Sequence, residues 1–156
     1  MTISFPRMTA AALLFAGGGI VALSALGIVV ARMAIAVGLP APVMANDVAL
    51  LDDLVQVMPF VGAFAVASIV AAVGLVAESS WADRLGTTLA AAALGIGLFG
   101  MILLILGHDP FATVPSDKAL DGLGILGAFA ALYGTVIVAL GLDGRVITRS
   151  PNLAAA

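Results

Sequence analysis

The chain has 156 residues, 63% of them hydrophobic and only 10% charged, with 18 glycines, no cysteine and a formal net charge of −3. Soluble domains carry roughly 25% charged residues, so this composition argues against a water-soluble fold. The lack of cysteine excludes disulfides, thiolate metal sites and dithiol redox chemistry, and the acidic balance excludes nucleic acid as a natural partner.

Four apolar runs fill most of the length, at roughly Met8 to Val37, Leu54 to Ala77, Leu85 to Leu106 and Gly122 to Leu142. Each reaches the ~20 apolar residues that an α-helix needs to cross a hydrocarbon core of ~30 Å. The expectation is an all-α, polytopic integral membrane protein whose four transmembrane helices form one bundle, a single transmembrane domain over residues 1–156.

The first run follows Arg7 and continues without a charge from Met8 to Ala31. A cleaved signal has an apolar stretch of about 7–15 residues, so this run reads as a retained span despite the small residues Ala34 and Ala36 near its end. Gly38 followed by Pro40 and Pro42 is a strong stop, because glycine tolerates a left-handed cap and proline cannot continue a helix. Arg32 falls in the last turns, where it can snorkel to the interface and meet the negative end of the helix dipole. Asp52 and Asp53 lie at the same expected depth, which predicts a surface ion pair of Arg32 with one of them.

Before the second span, Asn46 or Asp47 can cap a helix, and Asp52, Asp53 and Gln56 share a face by their spacing. Pro59 either kinks this helix or starts the span after a short interfacial helix, since it removes a donor and crowds the carbonyl of Val55. Ala63, Ala67 and Ala71 then step by four, a small-residue pattern suited to close helix contact in lipid. Glu78, Trp81, Asp83 and Arg84 form a short polar connection in which Trp81 is an interfacial anchor.

The third run carries Ala91 and Gly95, and Ala93 and Gly97, at the same four-residue step. His108 and Asp109 follow in a loop. The fourth run places Gly127, Gly134 and Gly141 seven residues apart, on one seam of a left-handed helix pair, and is the best candidate packing interface.

A faint internal repeat joins the two halves. Gly62-Ala63-Phe64-Ala65 recurs as Gly127-Ala128-Phe129-Ala130, and Asp47, Ala49 and Leu50 are matched by Asp117, Ala119 and Leu120. A true duplication would give two tandem helical hairpins related by a pseudo-twofold axis along the membrane normal, as parallel repeats are.

Basic residues set the orientation, because cytoplasmic loops retain Lys and Arg. Arg7, Arg84, Arg145 and Arg149 fall on the side of the termini, whereas Arg32 and Lys118 fall opposite with Asp47, Asp52, Asp53, Asp109, Asp117 and Asp121. Both termini are therefore expected in the cytoplasm, in a bacterial inner membrane.

Catalytic chemistry is poorly represented. The single histidine, His108, cannot supply two haem ligands or a multi-histidine metal centre. No Asp, Glu or Lys lies near the middle of a span, which leaves a proton relay without a carrier. The expectation is no enzyme, no metal and no cofactor, with bound lipid as the natural ligand. Two readings of function follow: a non-catalytic accessory or assembly subunit of a larger membrane complex, contributing helix packing and lipid-facing support to other membrane subunits, or a small homo-oligomeric channel or transporter with a Ser/Thr/Gly-lined pathway and acidic outer loops.

Overall fold

A computed structural model describes residues 4–38, 47–106 and 119–148, the side chains at 47–51, 53, 119–121 and 144–148 excepted. The described residues form four helices: α1 (Phe5–Ala36), α2 (Asp47–Val76), α3 (Ser80–Ile105) and α4 (Ala119–Thr148). All four are long and apolar enough to span a membrane.

Local chemistry sets the ends. Ser4 is extended at the N-cap of α1 and its hydroxyl accepts from the Arg7 amide at 3.4 Å, with Pro6 in the first turn where a missing donor is harmless. At the other end Gly38 takes φ +75°, and its amide donates to the carbonyl of Ile35. The expected stop at Gly38 is thus met by a left-handed glycine.

The α2–α3 turn is tighter than a loop of polar residues suggests. The Ser79 amide donates to the carbonyl of Gly74 at 2.9 Å and the Glu78 amide to that of Leu75 at 3.2 Å, which together make a Schellman cap. The left-handed position of that cap, normally glycine, is Glu78 at φ 55°. Because the cap closes so quickly, α3 begins at Ser80, and Trp81, Asp83 and Arg84 lie in its first turn and a half rather than in a loop. Helix α2 likewise starts at Asp47 and runs through Pro59 as one element, so no break sets off a separate interfacial helix.

The helices form a ring in which each packs antiparallel on its two neighbours. The α1/α2 and α3/α4 interfaces are extensive and the α1/α4 and α2/α3 interfaces lesser. This pairing of large with large and small with small is what a twofold axis through the bundle would produce. At a shift of 65 residues the buried stripe of α2 overlies that of α4: Ala65 and Ala130, Ser68 and Tyr133, Ala71 and Val136, and Leu75 and Leu140 are all buried. Ala63 and Ala128, Val66 and Ala131, and Val70 and Thr135 are all exposed.

Burial is concentrated at the end of the bundle that holds the start of α1 and the finish of α4, here the proximal end. Ala10, Leu14, Ala71, Leu75, Ala82, Val136 and Leu140 form one cluster there. Large apolar side chains instead face outward, among them Leu23, Phe60, Phe99 and Ile125. Small residues inside and large ones outside reverse the rule of a soluble protein. In lipid no hydrophobic drive brings helices together, so close backbone approach supplies the packing.

Candidate functional site

Three levels of the bundle carry polar or small-residue chemistry. At the proximal end, Arg7 of α1 reaches across to α3, its Nη2 donating to Asp83 Oδ2 at 3.2 Å and to the Ser79 carbonyl at 3.3 Å. The Ser4 hydroxyl donates to the carboxylate of Asp143, a buried acid near the C-terminal end of α4. A carboxylate there meets the negative end of the helix dipole, and the hydroxyl offsets part of that penalty. These links join the start of α1 to α3 and α4. Sequence reasoning used Arg7 only for orientation; its position and that of Asp83 in the first turns of two helices at one membrane boundary was the available signal.

At the distal end Arg32 Nε stands 2.5 Å from Asp52 Oδ1. Both side chains are well exposed, at 34% and 51%, so the pair works in a high-dielectric setting. The side chain of Asp53 lies outside the described residues.

Mid-bundle, Ser68 of α2 and Tyr133 of α4 are buried and face one another. The two hydroxyls are near enough for a weak mutual contact, but neither makes a hydrogen bond of good geometry among the described residues. Thr9, Thr87, Thr88 and Thr135 differ, each donating to the carbonyl four residues earlier in its own helix. The Tyr133 ring is held by Phe129, with centroids 4.7 Å apart, and by Phe64 at 5.8 Å edge-on. Gly17 and Gly18 of α1 make room for this layer: a methyl on Gly17 would lie 2.8 Å from the Tyr133 hydroxyl, and one on Gly18 would lie 2.9 Å from the Ala65 carbonyl oxygen.

The small residues divide by face. Ala71 is buried, Ala67 half-buried and Ala63 exposed, so their step of four does not run along one internal contact. Ala93 and Gly97 face the interior while Ala91 and Gly95 face outward. On α4, a side chain on Gly127 or Gly141 would meet nothing within 4 Å, and one on Gly134 would meet only Leu94 at 3.9 Å. Gly124, equally open, extends the row, and with Ala131 and Val138 the seam reads Gly124, Gly127, Ala131, Gly134, Val138, Gly141 at alternating steps of three and four. That is the spacing of a helix seam that receives another helix, and among the described residues only Leu94 of α3 borders it. The close internal approaches are made by Gly17, Gly18, Gly74, Gly86 and Gly100 instead. Nothing in residue spacing alone separates these two sets of glycines.

Among the described residues no group of three His, Cys, Asp or Glu could hold a metal ion, and His108 lies outside them. No family model matches this chain, and no curated protein or solved structure matches it. What fold and site together define is an all-α, four-helix membrane bundle, most tightly packed at its proximal end and carrying a glycine-rich seam on α4.

Proposed function

We propose that the chain is a non-catalytic accessory or assembly subunit of a larger membrane complex, and that another subunit's helix packs along the α4 seam. The observation that carries this reading is the row from Gly124 to Gly141, which is half-exposed to exposed and, Leu94 beside Gly134 apart, meets no side chain or backbone among the described residues. Small residues that allow close approach are how helices associate in lipid, and five such positions, with Val138 as the sixth member of the row, follow heptad register. The interior supports the same reading, since the buried polar groups at mid-bundle among the described residues are the Ser68 and Tyr133 hydroxyls, too few to line a hydrophilic path. The lipid-facing remainder, rich in Leu, Ile, Val and Phe, would give the complex its boundary with the bilayer.

We place the protein in a bacterial inner membrane with both termini cytoplasmic, on the strength of Arg7, Arg84, Arg145 and Arg149 at the termini's side. Because the chain has no cysteine, Ser80→Cys and Thr113→Cys variants report this directly. An impermeant thiol reagent added to intact cells should label Thr113→Cys and not Ser80→Cys, and the reverse pattern would invert the orientation.

The docking itself is tested with a photoreactive residue in place of Ala131, on the seam, and in place of Leu23, on the lipid face of α1. Irradiation in native membranes should join Ala131 to a discrete second protein and Leu23 to lipid alone. Lipid adducts from both positions would remove the basis for an accessory subunit.

A further inference from the structure

Apolar clefts occur at both levels of the bundle: a groove of about 480 Å³ lies between α1 and α2 at the proximal end, lined by Met8, Phe15, Val73 and Val76, and two more lie at mid-depth, one at each of the two lesser interfaces. Between α2 and α3 the helices pinch at the turn, where a side chain on Gly74 would meet Ala82 and Trp81 at 2.8 Å. Further along they part around a cavity of about 440 Å³ lined by Phe60, Val61, Phe64, Ala93 and Ile96, with Val21 and Phe129 at its inner side. Its rim residues Phe60 and Ile96 are 78% and 67% exposed, so the cavity is continuous with the outward surface of α2 and α3. Between α1 and α4 a second cleft of about 270 Å³ is lined by Gly17, Ile20, Val21, Ile125, Phe129 and Leu132. The 65-residue shift carries Phe60 to Ile125 and Phe64 to Phe129, so the two clefts stand in equivalent places about the pseudo-twofold axis and meet at Val21 and Phe129.

We propose that these clefts are binding sites for the acyl chains of bilayer phospholipids, which enter laterally between α2 and α3 and between α1 and α4. Both linings are apolar side chains apart from Gly17, so they offer no hydrogen bond and select an uncharged hydrocarbon. The clefts also sit at the right depth. Val21 is 11 residues from Arg32, about 16 Å along a helix at ~1.5 Å per residue, and half of a hydrocarbon core is about 15 Å. A chain whose headgroup lies at the level of the Arg32–Asp52 pair, which presents both charge signs as a zwitterionic headgroup does, therefore ends in the clefts. The larger volume is within the range of about 300–1,000 Å³ that small-molecule sites occupy. Phe64 and Phe129 form the floor and separate the chain from the Ser68 and Tyr133 hydroxyls one helical turn deeper. This site is independent of the α4 seam.

The test uses the full chain in phosphatidylcholine vesicles whose acyl chains are brominated near their ends. Trp81→Phe removes the native indole, and a new one is placed at Phe129 in the clefts or at Phe99 on the lipid face, which is 63% exposed. Bromine should quench the indole of Phe129→Trp at least half as strongly as that of Phe99→Trp. Val21→Phe, which narrows both clefts, should reduce the first at least twofold and leave the second unchanged. If Val21→Phe does not fold, Val21→Ala serves instead and should raise quenching at position 129. Phe129→Trp left unquenched beside a quenched Phe99→Trp would overturn the proposal, as would quenching insensitive to both Val21 variants. The unquenched result would mean closed clefts or clefts filled by a second copy.

Discussion

The three consecutive glycines Gly17, Gly18 and Gly19 should respond to alanine in opposite directions. A methyl group on Gly18 would lie 2.9 Å from the Ala65 carbonyl oxygen, 3.1 Å from Ile69 Cγ1 and 3.1 Å from Ser68 Cβ, whereas one on Gly19 would meet nothing within 4 Å. Carbon atoms rest about 3.5–4.0 Å apart, so α1 and α2 must separate by about 0.5 Å or more along their most extensive contact to admit the methyl. Overpacking of that kind destabilises by about 1–3 kcal/mol, against a gain of about 1 kcal/mol from replacing glycine with alanine in a helix. Gly18→Ala should therefore lose about 1 kcal/mol while Gly19→Ala gains up to about 1 kcal/mol, a gap near 2 kcal/mol between neighbouring residues. By the scaling for a chain of this size that gap is about 4–8 °C in Tm. Gly27→Ala, also open, is the second control, and Gly17→Ala should fall between because its neighbour is the end of the Tyr133 side chain. Thermal unfolding of the purified proteins in one mild detergent measures all four. A Gly18→Ala variant that melts with or above Gly19→Ala would refute the argument that close backbone approach at this layer holds the bundle together.

Glu78 occupies a left-handed cap that favours glycine, so Glu78→Gly should stabilise the protein by about 1 kcal/mol, read as a Tm increase of a few degrees; no increase would mean the Glu78 side chain has a compensating contact. Arg7 is nearly buried against Asp83 and Ser79, and Arg7→Gln should destabilise by about 1–3 kcal/mol in the same assay. Arg32→Gln removes an exposed pair and should change stability by less than about 1 kcal/mol, with the difference vanishing in high salt. Replacing Ser68 by Ala and Tyr133 by Phe together should be close to neutral, because both hydroxyls go at once, whereas a large loss would assign them a hydrogen-bonded partner.

How far the sequence spoke for the structure differs from residue to residue. The four spans were legible because hydrocarbon solvent demands long uninterrupted apolar runs, and Gly38 with its following prolines fixed one end by backbone chemistry alone. The starts of α2 and α3 were placed late, since polar residues such as Asp52, Trp81 and Arg84 remain helical outside the apolar run and hydropathy does not register them. The Arg32–Asp52 contact follows from matching depth on adjacent antiparallel helices. The Arg7–Asp83 contact has the same logic but joins α1 to α3, which depends on knowing the ring order. Glycines were the hardest to read: Gly18 and Gly127 are equivalent in composition and spacing, and only packing shows that one meets a backbone carbonyl and the other open surface. The clefts were invisible for the same reason, being formed where Val21, Phe64, Ala93 and Phe129 from four separate helices fail to fill space.

The central claim, that α4 receives another subunit, is tested most directly by native mass spectrometry of the protein extracted from its own membranes in mild detergent, beside a variant carrying Gly124→Leu and Gly141→Leu, the two exposed glycines of the row. The seam is open within the chain, so the variant should fold with unchanged helical content. The claim predicts that the natural chain carries a foreign subunit at fixed stoichiometry and that the variant, equally folded, has lost it. A natural chain that flies alone or only with copies of itself, or a variant that keeps its partner in full, would contradict it.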